Sequence, residues 1–385
     1  MGKAVVPGTV TWDQLRELAA FRADKGCAVS LYVDLNPSET ATPPAVETRV
    51  NSLLDEAERS LHERRRALTH EQRETLKGDL DRIRHWFDDG FDRGGVRSVA
   101  VFAAGLDNFW STLSLADPVP DSAKVGAELY LAPLARLVSR ADGVVVAFVG
   151  RERGQVYRLR AGQLVELADR TEDAPGRHDQ GGWSQARYER HIETIISRHL
   201  RRVADTLDDC VRKLRGTRVV LVGAEEIRPE FEEILSSEVK SRLLGWTSAE
   251  AHADGRQLLE AVRPLLHEWW AGREAEVLAR WREEAGKNGR AATGWEETLD
   301  AASDGRIELL LVQDGVDQPA YQCPACGRAQ MADGSCPLDG TTMERSEAGL
   351  DLAVHQTLAH GGTVHVIRDR RDLEPVGGVA ALLRF

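Results

Sequence analysis

Apolar residues near the start of the chain follow a strand period, change to a helical period, and then change back. Residues 28–35 (AVSLYVDL) alternate well enough for a strand, and the turn-rich NPSETATPP ends it. Over 46–87 the spacing becomes helical. Val50, Leu53, Leu54, Ala57 and Leu61 fall on one face, and Thr69 followed by Gln72 makes a capping-box start for a second helix. SVAVFAA (98–104) reads as a buried strand. The expectation for residues 1–138 is a small α/β domain, a helical hairpin packed on a sheet.

A second unit begins near Ala141. GVVVAFVG, QVYRLRAG and QLVELADR have the form of a short β-meander with glycine at its turns. After a polar stretch, TEDAPGRHDQGGW, a long helix is expected over about 184–214. Ile192, Ile195, Ile196, Leu200, Val203, Leu207, Val211 and Leu214 make its continuous apolar stripe, and most of its arginines fall off that stripe. TRVVLVG (217–223) is a buried strand, followed by a helix from about 229. Residues 139–271 therefore predict a mixed sheet with helices on its faces. In 272–385, a strand at 306–313, a helix at 346–359, a strand at 363–369 and the terminal GGVAALLRF predict an α/β/α domain carrying a cysteine insert at 321–342. The fold class is α/β (α+β) in three domains.

Composition narrows the function. The 385 residues are 42% hydrophobic and 29% charged, with no run of 18 apolar residues and no apolar core of a secretory signal at the start, so a cytoplasmic protein is expected. A net charge of −12 argues against a general polyanion binder. The charge is uneven, however: 136–160 and 181–220 each carry a net +4, so the middle of the chain offers a basic surface to phosphates. Three of the five cysteines crowd into 14 residues, which suits a metal better than a disulfide framework.

The insert YQCPACGRAQMADGSCPLDG has the form C-x2-C-x9-C-x2-D. Two cysteines two apart and followed by glycine aim both sulfurs at one cation, and a second such turn completes a tetrahedral zinc site. Here Cys323, Cys326 and Cys336 are joined by Asp339, where a fourth cysteine would stand; His355 and His360 are alternative fourth ligands. Four protein ligands make a structural Zn²⁺ site, and the competing reading is a loop of reduced thiols.

Ahead of the long helix lies Gly181-Gly182-Trp183-Ser184-Gln185. Paired glycines let backbone approach a crowded ligand, the helix N-terminus offers N–H donors, Gln185 can position water, and Trp183 can stack on a base. The bland reading is an ordinary capped loop. Arg187, Arg190, Arg198, Arg201 and Arg202 are candidate phosphate contacts, or else a solvated helix face.

The GGWSQARYERH loop running into a long helix, the cysteine insert of the third domain and the terminal GGVAALLRF resemble the bacterial relatives of the archaeal/eukaryotic class-I release factor. That superfamily includes Pelota-type rescue factors and Balon-type hibernation factors. SLYVDLNPSETATPPAVETRVNSLLDEA is similar to the first domain of the bacterial proteins. The resemblance implies a ribonuclease-H-like middle domain whose Gly-Gly-Gln tip helps water attack the ester of peptidyl-tRNA. Gly181 and Gly182 match the glycines. Gln185 is the nearest glutamine behind them, with Trp183 and Ser184 intervening, and Gln180 is the second choice. No Asn-Ile-Lys-Ser motif is present, so codon reading is not expected. The resemblance implies a monomer bound to ribosomal RNA and peptidyl-tRNA in the A site, with a translational GTPase as a possible partner. Its function would be codon-independent hydrolysis for release or rescue, or else hibernation by occupancy without chemistry. A scaffold unrelated to ribosomes is the third reading.

Overall fold

The periods read from the sequence recur as elements in a computed structural model. It describes all residues except 1–9, 37–39, 41, 65–67, 89–90, 92–95, 116–117, 142, 161–162, 172–182, 215 and 288, and gives the backbone alone for 60–64, 139–141, 160 and 183–189. The chain forms two compact units, 141–273 and the combination of 1–140 with 274–385.

The first segment opens with α1 (Trp12–Ala19), a helix the apolar period did not signal because it is only 8 residues long. Its start is nevertheless written locally: Gln14 N donates to Thr11 Oγ1 at 3.2 Å and Thr11 N to Gln14 Oε1 at 3.0 Å. Next come β1 (Ala28–Asp34), α2 (Pro43–Arg64), α3 (His70–Asp88), β2 (Ser98–Ala104), β3 (Phe109–Leu115), β4 (Ser122–Gly126) and α4 (Ala132–Ala141). The capping box read at Thr69 and Gln72 is present. The four strands form an antiparallel sheet in the order β3-β2-β1-β4. One face, carrying Val29, Leu31 and Val33, packs on Val50, Leu54, Leu76, Leu80 and Ile83 of the helical hairpin. β1 is buried on both faces, so its weak alternation reflects two packed sides and not one solvated side.

The middle unit contains β5 (Val144–Val149), β6 (Gly154–Arg160), β7 (Gln163–Asp169), α5 (Trp183–Lys213), β8 (Arg218–Gly223), α6 (Arg228–Ile234), α7 (Ser237–Arg242), β9 (Leu243–Thr247) and the first half of α8 (Gly255–Gly286). Its sheet runs β7-β6-β5-β8-β9. β5, β6 and β7 form the antiparallel meander, and β8 and β9 continue parallel to β5. This order is ribonuclease-H-like. α5 covers one face through Leu200, Val203, Leu207 and Val211, and α8 covers the other through Leu258, Val262 and Leu266. β5 and β8, sandwiched between helices, are accordingly continuous apolar runs.

The last segment holds β10 (Ala291–Thr293), α9 (Gly294–Ser303), β11 (Ile307–Gln313), β12 (Ala320–Gln322), β13 (Ala329–Gln330), β14 (Glu344–Ser346), α10 (Gly349–Ala359), β15 (Thr363–Ile367) and β16 (Val379–Leu383). The main sheet runs β10-β16-β11-β15. The second half of α8 packs Leu278 and Trp281 on Leu311 and Leu382 of this sheet, and α9 and α10 cover its other face, giving α/β/α layering. The terminal GGVAALLRF supplies β16. Gly377 and Gly378, with φ of 77° and 80°, make the turn into it, and a Cβ on Gly378 would meet Val316 at 2.7 Å. The sequence did not reveal that the first and last segments share one core. Leu15, Leu18, Phe102, Leu131 and Leu134 pack with Trp295, Leu299, Leu310, Leu350 and Leu358.

Candidate functional site

The cysteine insert folds as a three-stranded ribbon, β13-β12-β14, carrying two knuckles of matching backbone. In the first, Gly327 N donates to Cys323 O at 2.9 Å and Cys323 N to Arg328 O at 2.8 Å. In the second, Gly340 N donates to Cys336 O at 2.9 Å and Cys336 N to Thr341 O at 2.8 Å. Gly327 and Gly340 both take positive φ, 80° and 74°, to close these turns. The equivalence puts Asp339 in the second knuckle where Cys326 stands in the first.

The ligand atoms of Cys323, Cys326, Cys336 and Asp339 all lie within 4.8 Å of one another, a group that could hold a metal ion. Cys326 Sγ is 3.5 Å from Cys336 Sγ, and Cys323 Sγ is 3.4 Å from Asp339 Oδ2. A tetrahedral centre with Zn–S near 2.3 Å and Zn–O near 2.0 Å requires edges of about 3.8 Å for S···S and about 3.5 Å for S···O. The observed separations are within a few tenths of an ångström of these values. His355 and His360 are not in the group: His355 Nδ1 lies 3.5 Å from Glu128 Oε2, and His360 Nδ1 meets Gln356 O at 2.8 Å. Burial, opposed by the backbone N–H of Arg328 and reinforced by Cys323, Cys336 and Asp339, pushes the Cys326 thiol up to about 12. With a divalent cation bound, Cys323, Cys326 and Cys336 would be held as thiolates by its charge. Replacing Cys336 with serine is expected to reduce bound metal from one equivalent to less than about half, since a hydroxyl is a poor substitute for thiolate. Metal analysis of the purified variant checks this, and undiminished metal content would remove Cys336 from the ligand set.

On α5, Leu200, Val203, Leu207 and Val211 are buried, and Arg190, Arg198, Arg201 and Arg202 are exposed. Among the described residues no acid pairs with Arg198 or Arg201, whereas Arg212 is held by Asp208 one turn back. Gly181 and Gly182, with Gln180 before them, lie outside the described residues. Trp183, Gln185 and Arg187 are in the first turns of α5 as backbone, and their side chains lie outside the described part. Sequence reasoning passed over His199, which sits in the apolar stripe at 1% exposure, packed beside Gly154. Both of its ring nitrogens lack a partner among the described residues. Its place between Ile196 and Val203 in the stripe was the available signal.

Residues 130–265 match the model of bacterial archaeo-eukaryotic release factor family 10. Peptide chain release factor subunit 1 of Archaeoglobus fulgidus is 26% identical over 285 residues, covering 67% of this chain and 69% of that one. The Thermoplasma acidophilum protein of the same description is 24% identical over 290 residues, 68% of each chain. The chain is a relative of the archaeo-eukaryotic release factor. Among solved structures, the crystal structure of the archaeal termination factor aRF1 aligns with 98% of this release-factor relative and 99% of its own chain, at 17% identity and a TM-score of 0.28. A ribosome-bound archaeal Pelota, described together with ABCE1, aligns with 75% of this chain and 77% of its own, at 16% identity and a TM-score of 0.41. Among the described residues no helix is long and apolar enough to cross a membrane.

Proposed function

We propose that this release-factor relative is a ribosome-associated translation factor that enters the tRNA A site tip first, with residues 180–187 leading and α5 as the stalk. One observation carries the reading. α5 is a 31-residue helix sealed on one side by the middle core and lined on the other with exposed arginines, of which Arg198 and Arg201 have no acidic partner among the described residues. Such a face meets RNA phosphates without the whole protein being basic. Binding to ribosomes is expected to weaken steeply as salt rises from about 50 to about 200 mM. Arg198→Ala and Arg201→Ala should each weaken binding several-fold and flatten the salt slope by about one. Co-sedimentation measures both, and absence of the wild type from ribosome pellets at low salt would end the proposal.

Two chemistries compete at the tip. For hydrolysis, Gly181 and Gly182 admit the loop and Gln185 orients a water toward the peptidyl-tRNA ester. For occupancy, the tip fills the vacant site as a hibernation factor does, with Trp183 and Arg187 as contacts. The start of α5 favours occupancy. Position 185 lies about 3 Å along the helix and about 200° around its axis from Trp183, the first helical residue. Misplacing a catalytic group by about 1 Å costs roughly 10²-fold. Hydrolysis is supported by the retained glycine pair and a nearby glutamine. Labelled-peptide release from stalled ribosomes separates the two: release by wild type that Gln185→Ala abolishes would establish hydrolysis, and binding without release establishes occupancy.

The metal proposed for the cysteine group is zinc in a closed structural site, since all four ligands come from protein. We read the chain as three regions, 1–138, 139–271 and 272–385, the first and last joined through their shared core, acting as a cytoplasmic monomer. A translational GTPase is the proposed delivery partner.

A further inference from the structure

The first cysteine knuckle is held by residues outside its own ribbon. Arg22 Nη2 donates to Pro324 O at 2.6 Å, between the two cysteines of the first knuckle. Arg22 also lies 3.7 Å from Glu128, and the two residues form an isolated antiparallel bridge, beside which Ala23 N donates to Ala127 O at 2.7 Å. Gln322 Nε2 donates to Glu128 Oε2 at 2.9 Å, and Gln356 Nε2 to Gly327 O at 2.9 Å. Around Gly327 the packing is tight: a Cβ there would stand 3.2 Å from Arg22 Nη1, 3.3 Å from Gln356 Nε2 and 3.7 Å from Glu128 Oε1.

These contacts share one geometric feature. In a cysteine knuckle the backbone N–H groups turn inward to the sulfurs, as Cys326 N does toward Cys323 Sγ at 3.5 Å, and carbonyls are left facing outward. The outward carbonyls here are those of Pro324 and Gly327, the two oxygens that Arg22 and Gln356 bind. Their direction follows from the knuckle, and the knuckle's shape follows from what the sulfurs bind. Arg22 and Glu128 are far from the insert in sequence and belong to the first segment. Their side chains are only 32% and 12% exposed, so the contact is partly withdrawn from water.

We infer that the first knuckle is a metal-dependent docking surface whose partner is the 22–23/127–128 bridge of the same chain. Metal in the ribbon clasps the N-terminal segment to the C-terminal one. The clasp rests on the zinc reading above and extends it, because a structural zinc site needs only to hold its own loop.

Hydrogen exchange on the full chain tests it, with zinc content measured first and then again after chelation. In the zinc-loaded protein the Ala23 amide should be protected, and removal of the metal should speed its exchange by about 10-fold or more, while the β1 amides at the sheet centre change little. Arg22→Ala should speed Ala23 exchange in the loaded protein, and its effect should shrink several-fold once the metal is gone, because the carbonyl it binds is then no longer held. Absence of metal in the purified chain would sink the zinc reading itself. Metal present, with Ala23 exchange unmoved by its removal or with an Arg22→Ala effect of equal size in both forms, would overturn the clasp and leave the zinc reading standing.

Discussion

Gly223→Ala is expected to destabilise the middle unit strongly and leave the other unit folded. Gly223 ends β8, the central parallel strand, and its space is taken from two sides. A Cβ there would run into the carbonyl oxygen of Val149 on neighbouring β5, far inside contact distance, and would stand 3.0 Å from the Trp246 ring. The obstacle is backbone in a buried ladder, where Val149 pairs with Gly223 in register, so no rotamer change relieves it. Trp246 is anchored at the same spot by its Nε1–H bond to Gly223 O at 3.1 Å. Overpacking typically costs about 1–3 kcal/mol, and a clash with fixed backbone belongs at the top of that range, a large fraction of what a domain of this size has to spare. Calorimetry should show one transition lowered or lost and the other within a few degrees of wild type. A variant with both transitions unchanged would mean that β5 and β8 can spread to admit a methyl group.

The second large effect concerns Asp351 and pH. Asp351, at the start of α10, accepts from Leu131 N at 2.8 Å and Ala132 N at 2.9 Å, and so caps α4 from a point 220 positions along the chain. Burial raises its carboxyl to about 7. The two N–H bonds oppose the shift, and the nearby Glu128 and Asp317 add to it. The native state therefore keeps this proton to higher pH than the unfolded chain does. Stability from this group is full below about pH 4, is lost as pH rises toward about 7, and is level above that. The shift corresponds to about 2–4 kcal/mol after allowing for solvent near a largely buried group. Asp351→Asn keeps an oxygen for the two N–H groups and removes the charge. Relative to wild type it should gain about 2 kcal/mol between about pH 5 and about pH 8 in denaturant titrations, whereas Asp351→Ala should be destabilised across that range by the loss of both bonds. Parallel pH profiles for wild type and Asp351→Asn would show that Asp351 does not hold the proton.

The candidate site was legible where chemistry is local. C-P-A-C-G and C-P-L-D-G are each short enough to be recognised as ligand-bearing turns from their own residues, and the structure shows two matching knuckles. The choice among Asp339, His355 and His360 could not be made from spacing. His355 and His360 lie on α10 or at its end, and where that helix packs depends on the shared core. The arginines of α5 could be placed off the apolar stripe because helical period alone assigns faces. The same stripe contained His199, and the pattern did not distinguish a buried imidazole from its apolar neighbours.

The sequence alone determined the main strands and long helices, their order and the two knuckles, because each depends on residues within a few positions of one another, whereas short elements such as α1 escaped it. Tertiary structure decided what covers each face. β1 is sealed on both sides, α4 is capped by a carboxyl from α10, and the first and last segments are built into one core. An apolar face must be buried, and the period shows that much; several partners could bury it at similar cost, and only the packed chain chooses among them.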